Sequence, residues 1–276
     1  MKRTFSLETF PPKRDDGIEK IYYPLAGLAL LKPDFISVTY GANGGRTCLT
    51  DEVCDFIKNG YKIESVAHLT CAGSSKTMIR ELLENLKARN ITSILALRGD
   101  LQEEKPLIDY KYSTDLIKDI IEFGGFDVLA ACYPEGHVES ASFEQDLSIM
   151  AMKNNLGVSR FLSQLFFDNC DFYNLTEKAK NRGITAPISA GIMPITNSKQ
   201  IVRMVQMSGA KIPPMVAKMI SSYENDIDSL RKAGLEYSIK QIRDLLSKGV
   251  DGIHLYTMNN VNTATTIYDG IKDLLE

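Results

Sequence analysis

Eight short segments rich in apolar and β-branched residues recur along the chain, each followed by a stretch with helical spacing. No other feature narrows the fold as much. The strand-like segments are Thr4–Thr9, Asp34–Tyr40, Ile63–Leu69, Ile91–Asp100, Phe126–Pro134, Arg160–Phe167, Pro187–Pro194 and Asp251–Thr257. Near-continuous apolar runs such as ITSILAL suit parallel strands buried on both faces. Helices are expected over Gly17–Leu31, where Pro24 must sit early or kink the helix, and from Thr50, with Asp51 and Glu52 in an acidic first turn. Others follow from Ser74 or Ser75 to Arg89, over Ser113–Phe123, over Phe143–Asn154 and up to Asn181. Between the last two strands lie three helical stretches, Ser198–Met207, Pro213–Ser222 and Ile227–Lys248, and Ala264–Leu275 closes the chain. No shift in composition separates these parts. The pattern predicts an α/β protein in which residues 1–276 form a single (β/α)8 TIM barrel with extra helices between strands seven and eight. A doubly wound open sheet is the alternative.

Composition bounds the function. A chain of 276 residues that is 44% hydrophobic can bury a large core. A net charge of -3, with no Lys/Arg stripe interleaved with aromatics, argues against nucleic acid as a partner. The odd count of five cysteines, with no C-x-x-C, points to reduced thiols in a cytoplasmic protein. No apolar signal core follows Lys2 and Arg3, and the longest apolar stretch, Tyr22–Leu31, is too short to span a bilayer. A metal site is not expected, because His68, His137 and His254 lie on different elements without H-x-H or H-E-x-x-H spacing.

In such a barrel the chemistry gathers at the carboxyl ends of the strands. The first strand, TFSLETFPPK, is stopped by Pro11 and Pro12 and carries Glu8 near its end. The other strand ends offer Thr39 with Tyr40, His68, Arg98 with Asp100, Tyr133, Gln164 and Tyr256, while strand seven ends in Ile192 and Met193. Each has an ordinary reading alone: Glu8 as a surface cap or ion-pair partner, His68 as a core histidine, Arg98 and Asp100 as a pair across a turn. Gln164 resists that treatment, since Leu165, Phe166 and Phe167 follow it and a buried amide needs partners. The Gly44-Gly45 loop reads first as a turn and lacks the G-x-G-x-x-G and G-K-[ST] patterns. Cys71, close to His68 in sequence, has no third orienting group to make it a nucleophile.

The motifs SLETFPPK, FISVTYGANGG, AHLTC, LALRGD, YSTDL, ACYPEGH, SQLFFD, GIMPITNSKQ and HLYTMN, in that order from Thr4 to Thr257, resemble those of bacterial methylenetetrahydrofolate reductase. The resemblance implies a barrel that holds FAD. NADH or NADPH reduces the flavin and departs, and methylenetetrahydrofolate then accepts hydride to become methyltetrahydrofolate. It implies Glu8 as the general acid that helps open the folate's imidazolidine ring to an iminium ion, a task for a carboxyl that keeps its proton near neutral pH through burial. Asp100 would stabilise that cation, influence the flavin and bind the pterin, and Gln164 would serve folate and nicotinamide in turn. The implied FAD contacts are Tyr40, Ala42, His68, Arg98, Gly99, Asp100, Tyr112, Ser113, Tyr133, His137, Asp146 and Lys153, with Arg98 and Lys153 on the pyrophosphate and Asp146 on a ribose hydroxyl. Thr39 and Gln200 correspond to positions near the nicotinamide or folate.

Three positions depart from the family pattern. Ile149 replaces an asparagine near the adenosine, Met204 an aromatic that folds over the substrates, and Asn260 an arginine that meets the folate glutamate tail. These changes bear on affinity, tail-length preference and the electron donor, and leave the acid and the flavin ring untouched. The chain length leaves no room for the regulatory domain of the eukaryotic enzymes. Two competing expectations remain, a flavin-free barrel lyase or transferase and a non-catalytic folate-binding or scaffold barrel. The choice among NADH, NADPH and a partner protein as donor stays open, as do a homo-oligomeric state and the direction of the reaction.

Overall fold

The structure is a computed structural model that describes residues 3–12, 17–40, 49–100 and 108–275. Eight parallel strands follow one another in chain order and close into a barrel. They are β1 (Thr4–Thr9), β2 (Phe35–Val38), β3 (Glu64–Thr70), β4 (Ser93–Leu97), β5 (Asp127–Cys132), β6 (Arg160–Ser163), β7 (Ile188–Ile192) and β8 (Gly252–Tyr256). The closed barrel, not the open doubly wound sheet, is the fold. Its register sets Glu8 beside Ser37 and His68 beside Leu95.

The strands alternate with helices α1 (Glu19–Ala29), α2 (Thr50–Asp55), α3 (Lys76–Ala88), α4 (Ser113–Phe123), α5 (Phe143–Asn155) and α6 (Asn169–Asn181). After β7 come α7 (Ser198–Ser208), α8 (Pro214–Ser222) and α9 (Ile227–Ser247), the extra helices the spacing predicts, and α10 (Val261–Ile271) follows β8. Side chains set several helix starts. Ser75, not Ser74, caps α3 by accepting the Met78 N–H at 3.2 Å, and Asp226 caps α9 through the Ser229 N–H at 3.0 Å. Pro24 sits inside α1, past its first turn, and the helix runs on through it. Beyond α2 the helix widens into a π-helical turn over Phe56–Gly60 that the sequence reading did not anticipate. Phe56 there packs between the Tyr22 and Tyr61 rings, at centroid distances of 4.4 and 5.2 Å.

Two strands end sooner than their apolar runs suggest, for local reasons. β4 stops at Leu97; the Arg98 carbonyl then accepts the Cys71 and Ala72 N–H groups, and Gly99 turns the chain at φ +83°. A Cβ at Gly99 would also lie 3.0 Å from the Thr70 Cβ, so glycine is required twice over. β6 stops at Ser163, because Gln164 bends its own side chain back to accept the Leu165 N–H at 2.9 Å.

The chain divides into two compact units, Met1–Phe5 with Cys132–Ala151 and Leu162–Glu276, and Ser6–Ala131 with Met152–Phe161. Within the first unit the extra helices cover an apolar cluster that includes Leu165, Phe167, Met193, Ile195, Ile201, Val216 and Leu230. Gly234 lets α9 come against the Ile195 carbonyl, a place where a Cβ would overlap the oxygen. Within the second unit Leu7, Ile36, Val66 and Ile94 are buried on adjoining strands. Serines punctuate the strand interiors: Ser6, Ser37, Ser65, Ser163 and Ser189 are all fully buried. Among the described residues no helix is long and apolar enough to cross a membrane, and no group of three His, Cys, Asp or Glu side chains could hold a metal ion.

Two outcomes are expected. Gly234→Ala should lower the melting temperature despite alanine's helix preference of about 1 kcal/mol, because overpacking against main chain costs about 1–3 kcal/mol. Gly60→Ala, whose Cβ would meet only the Phe56 ring at 3.5 Å, should leave it nearly unchanged; thermal unfolding by circular dichroism checks both. For the thiols, Cys54, Cys71 and Cys132 are buried and Cys170 is exposed. Burial pushes the Cys71 thiol up to about 11, and a hydrogen bond with Asp168 raises Cys170. Iodoacetamide with peptide mapping should therefore modify Cys170 first among these four, faster as pH rises, and reach Cys71 only on unfolding.

Candidate active site

In the unit containing Ser6–Ala131, β1 delivers Glu8 and β3 delivers His68. The Glu8 carboxylate, 20% exposed, has its Oε2 3.7 Å from Nε2 of His68, which is only 7% exposed. That separation is too long for a hydrogen bond and short enough for a protonated imidazole to hold the carboxylate as an ion pair. The carboxylate is thus half-sheltered, with a titratable imidazole beside it. Thr39 and Tyr40 follow β2, both half-buried. Thr39 donates its N–H to the Thr9 carbonyl at 3.0 Å, and its own carbonyl accepts the Thr50 hydroxyl at 2.8 Å, which fastens the end of β2 to β1 and α2.

The loop after β4 carries Arg98, Gly99 and Asp100. Arg98 is half-buried with its main chain gripped by Cys71 and Ala72, and Asp100 is exposed to solvent. Tyr112 and Ser113 open α4. Asp115 accepts the Lys111 and Tyr112 N–H groups at 3.1 and 2.9 Å, leaving the Tyr112 ring 52% exposed with the Lys111 ammonium 5.2 Å from its centre. Lys153, on α5, is 6% exposed and donates to the Ala131 carbonyl at 3.0 Å, so its ammonium is committed in part to the end of β5. Ala42, with the Gly44-Gly45 loop, lies outside the described residues.

In the other unit, Tyr133 and His137 follow β5 with their rings edge to face at 4.6 Å. His137 Nδ1 accepts the Glu139 N–H at 3.1 Å, which leaves the ring proton of the neutral form on Nε2. Asp146 stands at the start of α5. One of its oxygens takes the His137 N–H and the other the Ser140 hydroxyl, so this carboxylate shapes the loop that carries the aromatic pair. Any ribose contact would have to share those oxygens. Gln164 is half-buried, not fully buried as the run of aromatics after it suggests.

The chain around Gln164 is held from three strands. Gln164 donates its N–H to the Cys132 carbonyl at 2.8 Å. Tyr256 donates its hydroxyl to the Ser163 carbonyl at 2.7 Å, and the Ser163 hydroxyl takes the Gly191 N–H at 2.8 Å while donating to the Gln164 carbonyl at 2.9 Å. A side chain at Gly191 would overlap the Ser163 carbonyl and the Tyr256 hydroxyl. These supports were missed in the sequence except for Tyr256, which stood out only as a strand end. Gln200 lies in the first turn of α7 and donates its N–H to the capping Asn197 at 3.2 Å. Of the three positions where the resemblance anticipates a different residue, Ile149 is half-buried on α5, Met204 packs against the apolar cluster under α7, and Asn260 caps α10 by accepting the Thr263 N–H at 3.0 Å.

Known proteins resemble this chain over nearly its whole length. The family model for methylenetetrahydrofolate reductase matches residues 1–272. A 5,10-methylenetetrahydrofolate reductase of Pectobacterium carotovorum is 33% identical over 262 residues, covering 95% of this chain and 88% of that one. A maize protein, methylenetetrahydrofolate reductase (NADH) 1, is 29% identical over 282 residues, covering 96% of this chain and 48% of its own. Among solved structures, an uncharacterized protein from Clostridium thermocellum that binds two copies of 5-methyl-5,6,7,8-tetrahydrofolic acid has the same fold, with a TM-score of 0.69 at 15% identity over 99% of this chain and 96% of that one. With a family match across nearly its whole length, the chain belongs to the methylenetetrahydrofolate reductase family.

Proposed function

We propose that the protein reduces 5,10-methylenetetrahydrofolate to 5-methyltetrahydrofolate in two half-reactions, with FAD as the resident carrier and NADH or NADPH as the donor. The observation that carries the reading is the half-sheltered Glu8 carboxylate at the end of β1, 3.7 Å from His68, in a chain of this family. The residues fit an FAD in kind. The Arg98 guanidinium and the Lys153 ammonium are of the kind that pairs with a pyrophosphate, and Tyr133, His137 and Tyr112 offer aromatic surfaces. When bound, FAD would supply the hydride chemistry that no side chain possesses.

The chain's own residues do the remainder. Glu8 gives a proton to a ring nitrogen of the folate, the C–N bond breaks, and an iminium cation forms on the substrate that can accept hydride at its methylene carbon. Asp100, exposed in the loop after β4, offers a negative charge to that cation and a hydrogen-bond acceptor to the pterin. Gln164 presents its amide to folate and nicotinamide in turn, and Thr39 and Gln200 orient whichever is bound. The maize relative, by its name an NADH enzyme, favours NADH as the donor to try first. The free thiols Cys54, Cys71, Cys132 and Cys170 support the reducing cytoplasm as the compartment.

Anaerobic stopped-flow at the flavin absorbance band tests the scheme, with NADH mixed first and methylenetetrahydrofolate second. Bleaching and then recovery are expected. A protein that takes up no flavin on reconstitution would sink the reading, and a flavin reduced by dithionite but not by NADH or NADPH would point to a partner protein as donor. Glu8→Gln should cut the folate half-reaction by about a hundredfold or more, the low end for losing a general acid, while NADH still bleaches the flavin. Asp100→Asn should slow reoxidation by folate more than reduction by NADH; equal slowing of both would remove its electrostatic role.

A further inference from the structure

Glu135, between Tyr133 and His137 in the loop after β5, has no part in the scheme above, yet its side chain is only 7% exposed. Both of its carboxylate oxygens take the Lys211 N–H, at 3.1 and 3.0 Å, and the Lys211 ammonium stands 3.8 Å away. Lys211 belongs to the link between α7 and α8, three residues beyond the last residue of α7. A second contact joins the same two segments. Gly209, which ends α7 at φ +72°, comes so close to Val138 that a Cβ there would overlap the valine side chain. The loop bearing Tyr133 and His137 is thus fastened to the exit of the helix bearing Gln200 by one charge-assisted contact and one steric fit.

We propose that Glu135 is a positioning residue that sets the aromatic pair Tyr133 and His137 in register with α7, so that the flavin-side loop and Gln200 are presented together. The proposal rests on the reductase reading and adds to it the group that aligns the two parts. The charged groups that face Glu135 are Lys211 and, from the start of α6, Asp171 and Asp168. Burial pushes the Glu135 carboxyl above its ordinary range, the Lys211 N–H pulls it back, and the Asp171 and Asp168 charges push it up again. Protonation turns one oxygen into a donor and removes the charge facing the Lys211 ammonium, so the fastening is complete above the raised range and weakens as pH falls through it. Glu135→Gln imitates the weakened form at every pH, whereas Glu135→Ala removes it.

The test compares full-length, FAD-loaded wild type, Glu135→Gln and Glu135→Ala by hydrogen exchange and steady-state kinetics. In Glu135→Ala, amide exchange across Ser208–Ile212 should rise about tenfold, in line with the loss of a hydrogen bond to a charged group. The KM values for methylenetetrahydrofolate and NADH should rise about tenfold as well, with kcat changing less and FAD retained. The wild-type KM should increase as pH falls through the raised Glu135 range, and that of Glu135→Gln should stay flat over the same span. Faster exchange with unchanged KM would reduce Glu135 to a structural tie and overturn the proposal, as would a Glu135→Gln profile that follows wild type. Lack of turnover in wild type itself would mark failure of the reductase reading, and an active wild type with an indifferent Glu135→Ala would mark failure of the alignment alone.

Discussion

Parallel pairing is the constraint on which the rest of the molecule depends. A strand that must lie parallel to its predecessor cannot be reached by a tight turn, so the chain crosses back through a helix before each new strand begins. Repeated until the sheet closes, this sends every carboxyl end to the same rim, whatever the residues there happen to be. Helices carry the return path, strands carry the core, and the loops after the strands are left with the least structural duty. Glu8 lies near the end of β1, Gln164 just past β6 and the Arg98–Asp100 turn just past β4.

What fixes those groups is largely main-chain hydrogen bonding rather than side-chain packing. Gln164 is reached by contacts from β5, β7 and β8, all of which end on its own or the preceding residue's polar atoms. The Thr39 carbonyl and the Arg98 carbonyl are each tied to a neighbouring segment in the same manner. A buried hydrogen bond contributes only about 1 kcal/mol net, but leaving one of these polar groups unmet costs about 1–3 kcal/mol, so the penalty for misplacement exceeds the gain from placement. Glycine completes the scheme at Gly191 and Gly99, where a side chain would force the strand ends apart.

The fold was legible because its signal is long-range and redundant: eight apolar runs, a helical stretch after each, and a visible excess of helix before the last strand. Boundaries were less legible where a side chain competes with the ladder, as at Gln164, or where a single glycine turns the chain, as at Gly99. Glu8 and His68 could be located from the sequence as strand-end residues, but their approach to 3.7 Å is made across β2, where Ser37 pairs with Glu8 on one side and with Val66 on the other. Other features could not be seen this way. Nothing in the order of residues tells that Asp146 spends both oxygens on its own loop, that Lys153 rests on the Ala131 carbonyl, or that Asp100 lies in solvent while Arg98 is half-sheltered. Glu135 was overlooked between two residues of evident interest, since its partner is a main-chain N–H 76 positions away and a backbone group leaves no trace in side-chain chemistry.

The cap that Asn260 places on α10 has a consequence for any change of charge at this position. The family resemblance anticipates an arginine here, and the asparagine instead accepts the Thr263 N–H at the start of the closing helix. An arginine in its place would cost a cap whose removal typically weakens a helix by about 1 kcal/mol, before any advantage from the new charge could be felt. The exchange becomes level only if another residue near the start of α10 takes over the capping first. Charge and helix start are therefore coupled at this one position.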